Sequence, residues 1–479
     1  MIPSPPHIYD QIIIGAGPSG LSLAHILSIN ENNNFLLFDL GKKLENRFRY
    51  DSSDCWQGIG GAGLFSDGKF SFFPSGTKIW TLQNKEILKN SYHHLQKIFA
   101  DHFGRIVPEF PDKNGFEFDL EGDQFCLKKY GSFYMGLEER VKLIKMLQKD
   151  IEGKIKEQCE VIKLQWEDKN EYFQIKIKNG VLNWEEEVYY ARKIILGGGK
   201  FFPIKMFEML QTNDKVFRRF EFGIRIEGKN DEFKGLFDNK DKQLKEKEGY
   251  VQHDNLSLSS DGNTNGKGDT KQNDEPFLNK NKNNEAQTKN LIDPKWICKS
   301  KEEDNVQFRT FCMCVDGETI ECDFNGLKTF SGRSDCDPTD RTNFGLNIVV
   351  YDEKKIDFTK ILNNKTTFTV PLEEITAQQS IDNIEERILE NFYGINGSHL
   401  LISGVKALIK QFNLNEGKIL VKGPTIEGIG YYPNIDENLR LKNNKNIFII
   451  GDASGIFRGI IPAILSGFYV GNLISNTKN

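Results

Sequence analysis

The sequence lacks a long apolar run and a recognisable leader. A membrane-spanning helix needs about 20 apolar residues, whereas the most apolar segment, "GIIPAILSGFYVGNLI" at 459–474, has sixteen uncharged residues and follows Asp452 and Arg458. We therefore expect a buried helix there and no membrane span. The N-terminus, "MIPSPPHIYD", has no basic region followed by an apolar stretch, so we expect no signal peptide.

The sequence also lacks a basic block and a recognisable set of metal ligands. Its 63 Lys and Arg stand against 68 Asp and Glu, which gives a net charge of -5 and does not favour a nucleic-acid partner. The seven histidines show no HExxH spacing, and we predict no metal site. Eight cysteines without a secretory signal indicate free thiols in a reducing compartment, so we expect a cytoplasmic protein.

Large apolar residues are almost absent from one segment, 231–290, which includes "SSDGNTNGKGDTKQNDEP". Such a segment buries too little surface to offset the entropy of ordering it. We expect a disordered insertion in a surface loop. The whole chain of 479 residues, with 38% hydrophobic content and 36 Phe, is long enough for one large core or two to three smaller ones.

A strand, a tight turn, a helix and a second strand are predicted over residues 8–40, from "IYDQIII", "GAGPSG", "LSLAHILSI" and "NFLLFDL". The glycines have the spacing GxGxxG, which permits a tight turn, close approach of a pyrophosphate and close helix packing. Asp39 ends the second strand, and its carboxylate would accept hydrogen bonds there from ribose hydroxyls. A dinucleotide site is therefore predicted, and its pyrophosphate part comprises Gly15, Gly17, Pro18, Ser19 and Gly20.

The dinucleotide is specified by the other end of the chain. "NIFIIGDASGIFRGIIPAILSG" resembles the second flavin motif of FAD-binding Rossmann proteins, in which the Asp, here Asp452, bonds a ribityl hydroxyl. "ARKIILGGG" resembles the middle motif of that fold and adds Gly198 as a candidate. "CEVIKL" resembles the strand whose backbone, near Val161, contacts adenine. The resemblance implies FAD as the cofactor.

A Gly-rich loop follows the second strand, "GIGGAGLFSDGKF" at 58–70. It matches most of a nucleotide-triphosphate P-loop, but Phe70 stands where Ser or Thr must hold Mg²⁺. We predict that this loop, through Gly61, lies against the flavin or its pyrophosphate. No second strand-linked GxGxxG is present, so NAD(P)H or another electron donor would bind without a dedicated domain.

A family resemblance extends over nearly the whole chain except the insertion. "GGAGLFSDGK", "FRTFCMC", "NFGLNIVV" and "GIGYYP" followed by "GDASGIFRG" are similar to the uncharacterised FAD-dependent dehydrogenases of bacteria and archaea. Val315 stands where that family usually has proline. The resemblance implies a two-domain flavoprotein with oxidoreductase activity and an unspecified substrate.

The stretch "FRTFCMC" leaves three interpretations open. Cys312 and Cys314 are two apart, so on a strand they would share one face. They could be buried packing residues or line the flavin or substrate pocket. A metal site is a third interpretation, but the spacing differs from the usual zinc pattern.

We therefore predict an α/β protein with an FAD-binding Rossmann-type domain and an inserted α+β substrate domain. Its function would be hydride transfer through bound FAD to or from a small molecule. Gly459 and Ile460 would support charge at the flavin N1–O2 edge, and Arg458 would assist there, bind an anionic substrate or form a surface salt bridge. A flavin-dependent RNA-modifying enzyme and a flavin-bearing binding or sensor protein are the alternatives. The predicted parts are FAD domain 1–80, 158–205 and 419–479, helical cap 81–157, and substrate domain 206–418.

Overall fold

The computed structural model of the chain describes residues 6–112, 124–182, 185–238, 294–377 and 387–476. Its strands form two large sheets and two two-stranded ribbons. The strands are β1 Ile8–Ile14, β2 Phe35–Phe38, β3 Lys69–Ser71, β4 Cys126–Lys128, β5 Ser132–Tyr134, β6 Ile155–Lys156, β7 Cys159–Glu167, β8 Tyr172–Asn179, β9 Glu185–Leu196, β10 Lys215–Lys229, β11 Lys295–Lys299, β12 Val306–Cys314, β13 Glu318–Phe324, β14 Leu327–Arg333, β15 Arg341–Val350, β16 Phe368–Pro371, β17 Leu420–Pro433, β18 Arg440–Leu441 and β19 Asn444–Ile449. The helices are α1 Pro18–Ile29, α2 Lys85–Phe103, α3 Leu137–Gln148, α4 Phe202–Met209, α5 Phe358–Leu362, α6 Leu372–Ala377, α7 Ile388–Phe412 and α8 Ile460–Asn476.

The first sheet has the strand order β18-β19-β9-β1-β2-β6. β1 pairs in parallel with β2 and with β9, and β9 pairs in parallel with β19. The last four residues of β1 and all of β2 are buried, as expected for parallel strands covered on both faces. The predicted unit at 8–40 is confirmed by β1, α1 and β2, and the predicted α/β class is confirmed with it.

An antiparallel meander joins this sheet through its longest strand. β7 pairs with β8, and β8 pairs with the first half of β9. From Tyr190 onward the same strand lies beside β1, and its last three residues, Ile194–Leu196, are buried. The strands expected at "CEVIKL" and "ARKIILGGG" are present as β7 and β9.

Helices α1 and α8 pack closely because α8 presents glycine to its neighbour. A Cβ on Gly467 would lie 2.1 Å from the carbonyl oxygen of Ser19, and one on Gly471 would lie 2.9 Å from the side chain of Ile26. Residues four apart lie on one face of a helix, so the two glycines form a smooth stripe. The predicted buried helix at 459–474 is confirmed. Within the described ranges, no helix is long and apolar enough to cross a membrane.

The second sheet is antiparallel, with the order β16-β17-β10-β15-β12-β11-β4. Alternate residues such as Phe222, Phe308 and Ile348 are buried in a core that also contains Leu401 of α7. Because side chains alternate across a strand, the residues between them point to the other side of the sheet. We call this side the polar face; it carries Glu221 and Gly223 of β10, Asn347 of β15, Arg309 of β12, Lys295 of β11 and Lys128 of β4.

The structure describes the first residues of the predicted insertion. The start of the predicted insertion is folded, as a 3₁₀ helix at Asn230–Phe233 and a helical turn at 234–238. Phe233 and Leu236 are fully buried there, so two apolar side chains anchor an otherwise charged segment. Most of the insertion, 239–290, lies outside the described residues.

The helices of the predicted cap, 81–157, belong to the core beside α1 and α8. Tyr92 and Leu95 of α2 and Leu143 of α3 are buried in the same cluster as Leu21 and Phe468. The apolar faces of α2 and α3 pack in this cluster beside α1 and α8. The strand β4, which belongs to the same segment of the sequence, joins the second sheet. The predicted domain boundaries stay predictions.

Candidate cofactor site

Parallel strands of the first sheet end in one row. Ile14 of β1 is paired with Phe38 of β2 and Leu196 of β9, and Leu196 is paired with Ile449 of β19. The motifs predicted from the sequence follow these ends, at Gly15, Asp39, Gly197–Gly199 and Gly451–Asp452. In parallel sheets ligands bind beyond the carboxyl ends of the strands. Three separate stretches of sequence are thereby brought to one edge.

The first and third glycines of the GxGxxG motif have a geometric reason. Gly15 has φ +103°, and its Cβ would lie 2.5 Å from the carbonyl oxygen of Gly197. A Cβ on Gly20 would lie 1.9 Å from the carbonyl oxygen of Gly15. Gly17 precedes α1 and supplies no side-chain cap. The amides of the first turn therefore stay open to a ligand, and the helix dipole favours an anion there.

Asp39 joins three loops through its buried carboxylate. Its Oδ2 accepts from the amide of Ala16 at 2.7 Å, and its Oδ1 accepts from those of Gly41 at 2.8 Å and Gly58 at 3.0 Å. Burial raises the pKa of Asp39, although these amides and the charge of Arg47 oppose the rise. A carboxylate has about four acceptor positions. A ribose hydroxyl would therefore have to donate to the acceptor position of Asp39 that the three amides do not occupy.

The Gly-rich loop lies directly on the GxGxxG turn. The amide of Gly60 donates to the carbonyl oxygen of Ala16 at 2.8 Å. Gly61 has φ +61°, and its Cβ would lie 2.9 Å from the Cα of Gly17. Arg47 is fully buried and donates to the carbonyl oxygen of Gly61 at 3.0 Å. Sequence reasoning missed Arg47, because no motif or spacing distinguishes it.

Val161 and Gly198 lie at the same edge of the sheet. β7 begins beside the end of β2, since the amide of Cys159 donates to the carbonyl oxygen of Asp39 at 2.8 Å. Val161 is two residues further along β7 and is partly buried. A Cβ on Gly198 would lie 2.5 Å from the ring of Phe202, so glycine allows the sharp turn into α4. Their contacts with a cofactor stay predictions.

Asp452 supplies an unpartnered acceptor to this edge. Within the described part of the chain, its Oδ1 is buried and has no hydrogen-bond donor, while its Oδ2 lies 3.6 Å from Nε of Arg458. Gly451, just before it, has φ +61°, and its Cβ would lie 2.6 Å from the hydroxyl of Ser19. A buried acceptor without a donor costs free energy. A ligand hydroxyl, such as one of a ribityl chain, fits this position.

The N-termini of α1 and α8 converge on the Gly-rich loop. A Cβ on Gly63 would lie 3.3 Å from the side chain of Ile460 and 3.5 Å from the ring of Pro18. These two residues begin α8 and α1, and Gly459 with φ +103° directs the chain into α8. Two helix dipoles therefore favour negative charge along one edge. The arrangement suits one extended ligand with two electron-rich parts, as in FAD.

A charge cluster connects the start of α8 with the second sheet. Glu221 is 2% exposed and forms ion pairs with Arg458 and Arg219, and Nη1 of Arg309 lies 3.6 Å from its Oε1. Burial opposes ionisation, but the charges of these arginines hold the pKa of Glu221 well below its ordinary value. Of the three interpretations of Arg458, a salt bridge is present, but it joins the loop before α8 to the buried Glu221 of β10 instead of lying on the surface.

Two lysines that the sequence analysis did not single out have altered pKa values. Burial and the charge of Arg309 lower the pKa of Lys295 to about 7 and that of Lys128 to about 8. They are opposite each other on β11 and β4. No local pattern marks these residues, because the strand order that unites them is non-local.

The cysteine pair does not share one face. Phe311 is paired with Gly345 and Cys314 with Asn343, so β12 contains one extra residue. That bulge includes Cys312, with φ +46°. Cys314 is fully buried, in agreement with the packing interpretation. Among the described residues there is no cluster of three or more metal-ligating side chains.

Comparison with known proteins gave structural similarities only. No protein-family model and no curated protein sequence matches the chain. A flavoprotein/dehydrogenase from Cytophaga hutchinsonii is 13% identical with a TM-score of 0.38, over 98% of this chain and 79% of that one. A salicylate hydroxylase substrate complex is 11% identical with a TM-score of 0.41, over 98% and 80%. FAD-bound DfoA, a cadaverine monooxygenase from Erwinia amylovora, is 14% identical with a TM-score of 0.23, over 40% and 36%. Because these identities and TM-scores are low, we base the function on the chain's own residues.

Proposed function

We propose that the chain is an FAD-dependent oxidoreductase that holds the cofactor along the first sheet and a small-molecule substrate against the polar face of the second sheet. The observation that carries this proposal is the common edge at which the strands of the first sheet end. It combines the uncapped start of α1 and the start of α8 with the unpartnered Oδ1 of Asp452. The start of α1 would face the phosphates, Asp452 would accept from a hydroxyl, and the start of α8 would face the flavin.

The adenosine and pyrophosphate half would be held at β1, β2 and β7. The first amides of α1 would bind the pyrophosphate, with Gly17 and Gly61 leaving room for it. Asp39 would accept from the ribose through its remaining acceptor position. Val161 would pack beside the adenine. Arg47 would keep the Gly-rich loop in place through its bond to Gly61.

The flavin half would be held between β19 and the start of α8. FAD supplies hydride or electron-pair transfer when it is bound, and the protein supplies orientation and electrostatics. Asp452 would accept from the ribityl chain. The amides of Gly459 and Ile460 would stabilise negative charge at the N1–O2 edge. Arg458 would add positive charge there, and its ion pair with Glu221 would fix its orientation.

We expect a dehydrogenase or reductase that uses NADH, NADPH or another donor without a dedicated nucleotide domain. This expectation rests on the absence of a second GxGxxG motif from the sequence. A flavin-bearing sensor would bind FAD equally well without turnover. An RNA-modifying flavoenzyme would in addition require RNA to re-oxidise the reduced protein.

The proposal is tested by purification, an absorbance spectrum and anaerobic reduction. We expect a yellow protein that releases FAD, not FMN, on denaturation, because FMN would leave the site at Gly15–Gly20 and Asp39 empty. NADH, NADPH and candidate substrates are then tested separately for bleaching of the flavin band. A colourless protein that cannot be reconstituted with FAD contradicts the proposal. A yellow protein that no donor or substrate reduces would favour the sensor.

A further inference from the structure

We propose, on the basis of the flavoenzyme function proposed above, that the polar face of the second sheet binds the anionic group of the substrate, a carboxylate or phosphate, through Lys128, Lys295 and Arg309.

Strand register places these three side chains together. Lys128 of β4 is directly opposite Lys295 of β11. Arg309 of β12 is opposite Ile297, which lies two residues from Lys295 and on the same face. Diagonal neighbours of this kind are within reach of long side chains. The three cations therefore point to the same side of the sheet as Glu221.

The negative charge nearby is already engaged. Glu221 is shared by Arg458, Arg219 and Arg309, and Glu427 lies 2.9 Å from Nζ of Lys200. Throughout the described ranges, Lys128 and Lys295 form no ion pair within 4.0 Å. Arg309 also donates to Gln307 at 2.7 Å, so its position is fixed. Partly buried positive charge without a counter-charge is unfavourable. An anion from solution would complete the cluster.

The cluster lies beside the proposed flavin end. Nζ of Lys128 is 3.5 Å from the hydroxyl of Thr77, and the neighbouring Gly76 packs against Pro462 in the first turn of α8. Arg219 donates to the carbonyl oxygen of Gly455 at 2.8 Å. The polar face therefore meets the loop and helix that would hold the flavin. An anion bound there would fix the orientation of the rest of the substrate.

Protonation would couple to this binding. Lys295 faces Lys128, Arg309 and Arg458, which disfavour its charged form, and Glu221, which favours it. With pKa values of about 7 for Lys295 and about 8 for Lys128, both lysines lose protons near neutral pH. A bound anion favours the charged forms. Binding should take up protons and weaken as the pH rises through this range.

The test is calorimetric titration of the FAD-loaded protein with sodium benzoate and, separately, with inorganic phosphate. Lys295→Met and Lys128→Met remove the charge and keep most of the volume. Lys299→Met is the matched control, because Lys299 lies on the same strand but is exposed. We expect both buried-site variants to bind the preferred anion at least about tenfold more weakly, as for a lost charge-assisted bond. The control should match the wild type.

The outcomes separate this inference from the function itself. A tighter-binding benzoate indicates a carboxylate substrate, and a tighter-binding phosphate indicates a phosphorylated one. If the protein is yellow but neither anion binds, or if all three variants bind equally, the inference is wrong and the flavoenzyme proposal stands. A loss of FAD affinity in Lys295→Met, with anion binding unchanged, would also contradict it. A protein that cannot bind FAD contradicts the proposed flavoenzyme function, on which this inference rests.

Discussion

Arg458, one residue before the turn into the last helix, forms an ion pair with Glu221 on the second sheet. The two residues belong to the two ends of the proposed reaction centre, since Arg458 precedes the helix start that we propose faces the flavin and Glu221 lies on the polar face. Glu221 is also held by Arg219 from its own strand. The contact thus connects the loop before α8 with the polar face of the second sheet.

Replacing Glu221 by Gln should destabilise the protein strongly at neutral pH. Removal of one partner from a buried ion pair costs about 3–5 kcal/mol, because the remaining charges are uncompensated. Thermal or urea unfolding measures the change. Glu186→Gln is the control, since Glu186 forms a surface pair with Lys176 that should contribute about 0–1 kcal/mol. Equal effects of the two substitutions would contradict a buried role for Glu221.

The same variant should show a distinct dependence on pH. The pKa of Glu221 is lowered in the folded state, so its stabilising contribution is present above the unfolded value, about 4.3, and is lost as the pH falls below it. The stability difference between wild type and Glu221→Gln should therefore shrink in acid. A difference that stays constant from pH 7 to pH 3, or grows, would rule out this linkage.

Replacing Asp452 by Ala should weaken FAD binding without unfolding the protein. Its buried Oδ1 has no donor within the described residues, and Arg458, 3.6 Å from its Oδ2, keeps the ion pair with Glu221 in the variant. A lost charged hydrogen bond to the ligand costs about 1.5–3 kcal/mol, or roughly 10- to 150-fold in affinity. Fluorescence titration of the cofactor-free protein with FAD measures it. Asp168→Ala, at an exposed turn, is the control, and equal affinities would mean that the C-terminal motif is misassigned.

Replacing Gly467 by Ala should destabilise the first sheet's helical layer. The new Cβ would overlap the carbonyl oxygen of Ser19, so α8 must move away from α1, and overpacking of this kind costs about 1–3 kcal/mol. FAD affinity should fall with stability, because α1 and α8 both begin at the proposed site. Gly153→Ala is the control, since a Cβ there meets nothing within 4 Å. Melting temperatures of the two variants should differ clearly.

Removing residues 239–290 and joining the ends with a Gly/Ser linker should preserve FAD binding and the melting temperature. The deletion begins after Leu236, which is buried and must be kept. Loop length carries only a slow logarithmic entropy cost, and the removed segment has little apolar content. A second deletion that also removes 231–238 should lower the melting temperature, because it takes away Phe233 and Leu236. A similar drop in both deletions would show that the longer segment folds onto the protein.

Local signals in the sequence were enough for the elements of the first sheet. The glycine spacing at 15–20 and the apolar runs on either side predicted β1, α1 and β2, because a tight turn needs glycine and buried parallel strands need apolar residues. The C-terminal strand and helix were predicted on the same physical grounds. The bulge at Cys312 was not, since its left-handed φ follows from pairing with β15 and from no feature of "FCMC" itself.

The sequence by itself determined the elements of the cofactor half, including Gly15, Asp39 and Asp452, whose positions after strands are readable from local patterns. Only the tertiary structure decided that the Asp39 carboxylate is mostly occupied by amides of three loops. It likewise decided that Glu221, Arg309, Lys295 and Lys128 meet on one face. These groups are contributed by strands far apart in the chain, and local sequence does not determine which strands pair with each other. Their electrostatics depends on burial and on neighbours that only the strand order supplies.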